Sequence, residues 1–437
     1  MTQFINQKLA KFKSNSGKTI FANFISLSIL QISKYVFPLI TFPYLVRVLG
    51  AERFGLLAFA QAFVQYFILI TDYGFNLTAT RQISINRSSR DRISNIFWSV
   101  MAARLALVML SALVLAGIVF SVPKFRTDWT IYFITFISVL GNALFPVWFF
   151  QGLEKMKYIT ALTILARTIT LALIFIFVHK QSDYLLAAGL QSAGLLLSGI
   201  IGLLVAQAAF PIILKAPSFD EIRWSLVEGW QVFISQISIT LFSTSNTFIL
   251  GLFASNQQVG YFAIADKTVR AFVSLIAPLS TALYPRISSM FVTSRERTLH
   301  LLRKILFLGG AAFFTISLLL YFGADVLTYL VTGGHNHTIT VLIRILSILP
   351  FTIFVVNILG TQIMLNINMQ SHFMKIMIAT GFFAVTYSFL TVPFYGEFGT
   401  ATASLSAEIL EMVLMIIVVQ KSGVYLFKNT QGTVSTT

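Results

Sequence analysis

The sequence has no cysteine, few carboxylates and little charge of any kind. Without cysteine, disulfides and cysteine-held metals are excluded, and the redox compartment is left open. Asp and Glu number 15 against 31 Lys and Arg, and charged residues make up 11% of the 437. A soluble domain carries about 25%, and no hydrophilic stretch here is long enough to form one. What fills the chain instead is apolar: 57% of residues are hydrophobic and the mean hydropathy is +0.83. The net charge of +16 does not point to nucleic acid, because the bases fall mostly in short loops between apolar runs. No cleavable signal peptide is expected, since the first apolar stretch is long and lacks a small-residue cleavage site.

The apolar runs predict an all-α integral membrane protein with twelve transmembrane helices. They lie at 19–48, 54–75, 96–120, 129–150, 159–178, 184–209, 227–253, 259–285, 305–323, 338–362, 373–392 and 399–420. Each is near or above the roughly 20 residues that cross a bilayer as a helix. Helix is the expected form because a backbone in lipid must satisfy its own hydrogen bonds. Pro38, Pro43, Pro146, Pro278 and Pro350 lie inside these runs and predict kinks or unwound turns. With the N-terminus placed in the cytoplasm, the inner segments hold 20 Lys and Arg and the outer loops 5. That ratio predicts cytoplasmic termini. The basic run Arg81–Arg92 is then most simply a topology determinant, with contact to anionic lipid headgroups as the alternative.

An internal repeat divides the chain. Residues 29–60 lie over 234–265 without a gap, at an offset of 205, with 9 identities in 32 positions. Among them are Gln31/Gln236, Ser33/Ser238, Gly55/Gly260 and Ala60/Ala265. A fainter echo at offset 215 sets Asn142 over Asn357. Two six-helix halves follow, 1–210 and 227–437, joined by a cytoplasmic linker at 211–226. Six is even, so both halves enter from the same side. Their pseudo-twofold axis then runs along the membrane normal.

Six bases remain inside the apolar runs: Lys34, Arg104, Arg167, Lys267, Arg270 and Arg344. A Lys or Arg at a helix centre costs about 2.5–3.5 kcal/mol on insertion scales. Such residues face a bundle interior or a wet cavity, and six of one sign suggest a cavity for an anion. Lys34 is far from both ends of its span, which weighs against snorkelling. Lys267 and Arg270 are three apart on one helical face. Their repeat counterparts are Ala62 and Gln65, and Asp266 answers to Gln61. Arg270 can grip a phosphate with paired donors, or it can close an i,i+4 ion pair with Asp266. Arg104, Arg167 and Arg344 lie nearer span ends, where snorkelling competes with a lumen-facing role. The deep carboxylates are fewer. Asp72 closes the second span, as a terminator or as an ion-pair or gating contact. Glu408 and Glu411 share one face of the last span, where a carboxylate can take up and release a proton or hold a cation. Asp72, Asp266, Glu408 and Glu411 are thus the coupling and gating candidates. His335 and His337 have no third ligand nearby and read as solvated, so no metal is expected.

Local motifs carry a family resemblance. Phe42-Pro43-Tyr44-Leu45 with Gly50, Phe54-Gly55, Asp72-Tyr73-Gly74-Phe75-Asn76 with Thr80-Arg81, and Phe149-Phe150-Gln151-Gly152-Leu153-Glu154 resemble the polysaccharide-transport branch of the multidrug/oligosaccharidyl-lipid/polysaccharide exporter superfamily. Within it, the chain most resembles the Wzx-type O-antigen flippases. The resemblance implies an inner-membrane flippase, not an enzyme. Its cargo would be an undecaprenyl-pyrophosphate-linked oligosaccharide, moved from the cytoplasmic to the periplasmic leaflet by alternating access through a cationic cavity. It implies no cofactor, with proton or sodium coupling open. The partners implied are the lipid-linked oligosaccharide, the bilayer, a polysaccharide polymerase and chain-length proteins.

Two other readings compete. A multidrug exporter of the same superfamily would share fold and repeat, but would place acidic and aromatic residues where cationic drugs bind. The deep charges here are mostly basic. A membrane polysaccharide polymerase or ligase would need a large outer loop carrying catalytic groups. No outer loop here is long enough, and the repeat has no place in that reading.

Overall fold

The structure is a computed structural model and describes residues 2–210 and 212–422; side chains are described from residue 22 onward, except at 24, 235 and 238–244. The described residues form helices and connecting turns, with no strand among them. Eight helical segments among them are long and apolar enough to cross a membrane. The chain is a multi-pass, all-α membrane protein.

The first helix, α1 (Thr2–Asp72), has 71 residues. At about 1.5 Å per residue it is over three times the thickness of a hydrocarbon core. It breaks at Gly50, whose φ of 71° and ψ of 169° only glycine adopts cheaply. Pro38 and Pro43 sit within α1 without ending it. Pro146 does mark a break, between the helices Trp129–Leu144 and Val147–Gly152. Pro278 and Pro350 fall in the first turns of later helices, where the missing N–H had no intrahelical partner anyway.

By backbone packing the chain forms two compact units, Met1–Thr240 and Leu241–Thr437. In the first, α1 is followed by α2 (Phe75–Ile85), α3 (Arg90–Ser121), the single turn α4 (Pro123–Arg126), α5 (Trp129–Leu144) and α6 (Val147–Gly152). Then come α7 (Met156–Phe177), α8 (Tyr184–Ala209) and the start of α9 (Phe219–Phe253). Helices α5 and α8 touch backbone to backbone: a Cβ on Gly141 would lie 2.5 Å from Leu195 C and Leu196 N, and one on Gly199 2.3 Å from the Gly141 carbonyl. Small residues at such crossings let membrane helices gain close packing where lipid offers no hydrophobic drive. Aromatic clusters fill both ends. Phe97 meets Trp148 and Phe149 at one, and Phe59 and Phe63 meet Phe125 and Tyr132 at the other.

The second unit holds the end of α9, then α10 (Asn256–Val273), α11 (Ile276–Thr293), α12 (Arg295–Phe322), α13 (Ala324–Thr332), α14 (His337–Leu346) and α15 (Leu349–Asn357). A π-helical stretch, Ile358–Met364, runs on from α15, and α16 (Gln370–Lys421) ends the described chain. α16 breaks at Gly396, again with positive φ. The core of this unit packs Phe354, Leu359, Ile363 and Met415 together. Ser255 starts α10 with a capping box, its hydroxyl accepting from the Gln258 N–H while the Gln258 side chain accepts from the Ser255 N–H.

Candidate functional site

Among the described residues, one cluster of ionisable side chains in each unit gathers candidates named from the sequence. In the second unit, α10 places Asp266 and Arg270 one turn apart. Arg270 Nε donates to both Asp266 oxygens, at 2.8 and 2.9 Å. The Arg270 side chain remains 40% exposed and the Asp266 side chain 16%, so the cation of this pair stays accessible. Lys267, between them in sequence, is exposed. From α16, Glu408 is within electrostatic reach of Arg270 and Asp266, and Glu411 within reach of Glu408. Glu411 is 3% exposed. Three carboxylates thus gather around two cations. Sequence spacing had placed Lys267 and Arg270 together, and Glu408 with Glu411. The structure joins the two sets.

In the first unit the cluster centres on a buried arginine. The Arg104 side chain is 1% exposed. Its Nη2 donates to Asp72 Oδ1 and to Asn142 Oδ1, both at 3.0 Å, and its Nη1 to the Phe145 carbonyl at 3.4 Å. Asn76 Nδ2 also donates to Asp72, at 2.9 and 2.7 Å. The Asp72–Asn76 motif is thereby explained. Asp72 ends α1, and Tyr73 (φ 44°) and Gly74 (φ 81°) turn the chain. Asn76, in the first turn of α2, then reaches back to the carboxylate. Gly74 has no substitute there, because a Cβ would fall 2.7 Å from Val232.

The other bases divide. Arg167 on α7 is half-buried and donates from Nη1 to the Ser33 carbonyl of α1 at 3.1 Å. It therefore sits one residue along the chain from Lys34, which is exposed. Arg344, in the last turn of α14, bonds Asp325 of α13 at 2.7 Å. Asp325 escaped the sequence reading, which treated α13 as part of an outer loop. Asn142 serves Arg104, whereas Asn357 Oδ1 is buried without a partner. Gln31 donates to the Tyr35 hydroxyl, and the His335 ring lies 5.5 Å from that of Tyr329. Among the described residues no group of three or more His, Asp or Glu is placed to hold a metal ion.

Of a neutral polar cluster, the repeat had pointed to Gln61 and Gln65 as cavity-lining residues, and the members from other helices were missed. Gln61 of α1 and Gln191 of α8 bond each other at 3.0 Å beside Gln65, Thr135, Ser138 and Ser192. The available signal was polar residues at one-turn spacing in otherwise apolar spans, as at Gln61/Gln65 and Thr135/Ser138.

Fold and clusters together define a helical membrane protein that keeps ionisable side chains inside its bundle, some sealed and some accessible. Its relatives fix the family. Residues 20–291 match the family described as polysaccharide biosynthesis protein, and the chain belongs to that family. It is 38% identical over 404 residues to the "Putative O-antigen transporter" of Escherichia coli (strain K12), covering 92% of this chain and 96% of that one. A protein of the same description from Shigella dysenteriae is 28% identical, covering 90% and 98%. The fold is shared with the solved structure of "Lipid II flippase MurJ, inward closed conformation", at TM-score 0.66 and 12% identity over 92% of this chain and 87% of that one. It is shared too with an inward-facing multidrug resistance MATE family transporter of the MOP superfamily, at TM-score 0.63 and 16% identity over 94% and 100%. The family resemblance drawn from the local motifs is borne out.

Proposed function

We propose that the chain is a flippase of the bacterial inner membrane. Its cargo is an undecaprenyl-pyrophosphate-linked oligosaccharide, an O-antigen or related repeat unit, carried from the cytoplasmic to the periplasmic leaflet. The observation that carries this is the set of cations left accessible or half-buried within apolar helices, Lys34, Arg167, Lys267 and Arg270, in a chain whose relatives are named O-antigen transporters. A diphosphate cannot enter hydrocarbon unaided, while the polyprenyl tail need never leave it. Cations inside the helices compensate the one, and lipid holds the other. Arg104 and Arg344 are engaged with Asp72 and Asp325 and act in this reading as structural members.

In this reading the chain makes twelve crossings in two halves and works by alternating access about a pseudo-twofold axis. α1 and α16 each break at a glycine and so have length for two crossings apiece. α9, and α10 with α11, supply the two beyond the remaining apolar segments. The Lys and Arg bias supports cytoplasmic termini. The surplus carboxylate among Asp266, Glu408 and Glu411 supports coupling to a proton or a sodium ion, which would neutralise it in one state of the cycle.

The test deletes the gene in its host and locates the lipid-linked oligosaccharide on either face of the inner membrane. Accumulation on the cytoplasmic face with loss of surface polysaccharide is expected. Normal surface polysaccharide with raised sensitivity to cationic drugs would overturn the reading in favour of a multidrug exporter, which those same three carboxylates would suit. A repeat unit that reaches the periplasmic face but stays unpolymerised would reopen the membrane polymerase reading.

A further inference from the structure

Polar side chains without charge are gathered at one place in the first unit. Gln61 and Gln65 come from α1, Thr135 and Ser138 from α5, and Gln191 and Ser192 from α8. They line a cavity of about 250 Å³ whose remaining wall is aliphatic, as at Leu57, Ile68 and Leu195. Nothing in the lining is ionisable. A lining of this kind inside an apolar bundle needs a cause, because polar groups in a membrane interior are costly and tend to mark substrate paths.

The bonds within the cluster leave capacity unused. Gln61 Nε2 donates to Gln191 Oε1, and Gln191 Nε2 donates to the Ala187 carbonyl at 3.2 Å. Ser138 and Ser192 hydroxyls both donate to the Thr135 carbonyl, at 2.6 and 3.5 Å. Thr135 itself is 4% exposed, and its Oγ1 is buried with no partner. Gln65 is exposed. Helix cohesion alone does not account for this. An interhelical hydrogen bond in a membrane adds only about 0.6 kcal/mol on average, and one glutamine pair would serve. The volume is well above what a single water needs and can admit one sugar ring.

The chemistry selects the ligand. Amide and hydroxyl groups offer donors and acceptors together, which match a group that is itself both, such as a sugar hydroxyl. A diphosphate finds no cation in this lining, and a cationic drug finds no carboxylate. We propose that the cavity is a saccharide subsite: it holds one neutral, hydroxyl-rich sugar of the carried oligosaccharide and sets which sugars are accepted. The inference rests on the flippase reading and deepens it, assigning the sugar to the glutamine cavity and the diphosphate to the basic side chains.

The chain's lack of cysteine makes a direct test available. Ser138→Cys places a thiol in the cavity at little change in size. The purified variant in lipid nanodiscs is labelled with a small neutral methanethiosulfonate. The labelling rate is then followed with the repeat-unit oligosaccharide freed from its lipid by mild acid, and separately with undecaprenyl diphosphate. Oligosaccharide should slow labelling about tenfold at ten times its dissociation constant, where about nine sites in ten are filled. Undecaprenyl diphosphate should leave the rate unchanged. A thiol that labels equally fast with oligosaccharide shows a merely water-filled cavity and overturns the proposal. So does equal protection by undecaprenyl diphosphate, or a thiol that never labels. Should Ser138→Cys fail to fold, Gln65→Cys reports on the same cavity with the same outcomes. The deletion strain separates the two levels: surface polysaccharide lost but the thiol unprotected sinks the subsite alone, and surface polysaccharide retained sinks the flippase.

Discussion

The two units hold their charge at different places on a similar backbone. At the repeat offset of 205, Gln61 and Gln65 answer to Asp266 and Arg270, and Arg104 answers to Gly309. The first unit buries an arginine where the second has a glycine, and there the Phe354 ring lies so close that a Cβ would meet it at 2.4 Å. Phe354 stacks on Phe313 at 4.7 Å in the space an arginine would need. The second unit carries its accessible ion pair where the first carries a glutamine cavity. The backbone irregularities, by contrast, recur. Glu154 (φ 58°) and Asn368 (φ 62°) are both left-handed residues, each after an irregular stretch: the Pro146 break in one unit, the π-helix in the other. Helix breaks are set by where a chain must turn in a bilayer of fixed thickness, so a repeat retains them. Charges are set by what each site holds, and they diverge.

The largest effect should come from breaking the sealed cluster. Arg104→Met leaves the Asp72 carboxylate, 20% exposed and still held by the Asn76 amide, without its cation, and removing one partner of a buried pair costs about 3–5 kcal/mol. The folded yield and the detergent melting temperature should fall sharply. The double change Arg104→Met with Asp72→Leu should recover part of the loss, because no unpaired charge then remains. A single variant as stable as the wild type would show that the pair is not sealed.

Arg270→Met should act less on stability and more on transport. The Arg270 side chain is 40% exposed but that of Asp266 only 16%, so the pair lies between an exposed one, worth about 0–1 kcal/mol, and a buried one, and melting should fall less than in Arg104→Met. Transport should fall by about tenfold or more, the value of one charge-assisted hydrogen bond to substrate, and Arg270→Lys should restore part of it. Measured as surface polysaccharide per folded protein, unchanged transport in Arg270→Met would remove the functional half of the contrast.

This contrast was only partly readable in the sequence. Helices were legible because a bilayer demands long apolar runs, and Asp266/Arg270 and Glu408/Glu411 were legible because helical spacing alone brings them to one face. The Arg104–Asp72 pair was not. Its members are 32 residues apart on α1 and α3, and only the packing of those helices brings them together. Arg344 resembled the other intramembrane bases until α13 proved to be a separate helix carrying Asp325. The hydroxyls of the glutamine cavity were hidden for a different reason. A serine or threonine within a helix usually bonds its own preceding turn, so nothing in the sequence marks Thr135 and Ser192 as two that do not.

A smaller effect is expected at the two glycine breaks. Gly50 and Gly396 both hold positive φ, which costs about 1–3 kcal/mol in a residue with a side chain. The surroundings rank them. A Cβ on Gly50 would approach Gln181 Nε2 at 3.2 Å, whereas one on Gly396 would meet Gln258 Nε2 at 2.5 Å. Gln258 has little freedom to yield, because that same nitrogen donates to Glu397 Oε2 at 2.7 Å. Gly396→Ala should therefore lower the melting temperature more than Gly50→Ala. The reverse order would mean that the Gln258–Glu397 bond gives way easily.

The smallest effect concerns the acids near those breaks. Glu397, beside Gly396, is buried, while Asp183, in the loop that faces Gly50, is half-buried. Asp183 accepts from the His179 and Lys180 backbone N–H groups at 3.0 and 3.1 Å. These bonds, the one from His179 foremost, hold its carboxyl below the ordinary value of 3.8. A carboxyl depressed in the folded state adds stability that is fully present above its unfolded pKa and fades as pH falls through the folded one. Asp183→Asn should thus lower the melting temperature slightly at pH 7, and the gap from wild type should narrow below the unfolded value near 3.8. Partial exposure keeps the effect small, since water still competes for the same N–H groups. A gap that stayed constant down to pH 3 would mean that the neutral side chain caps the loop as well as the carboxylate does.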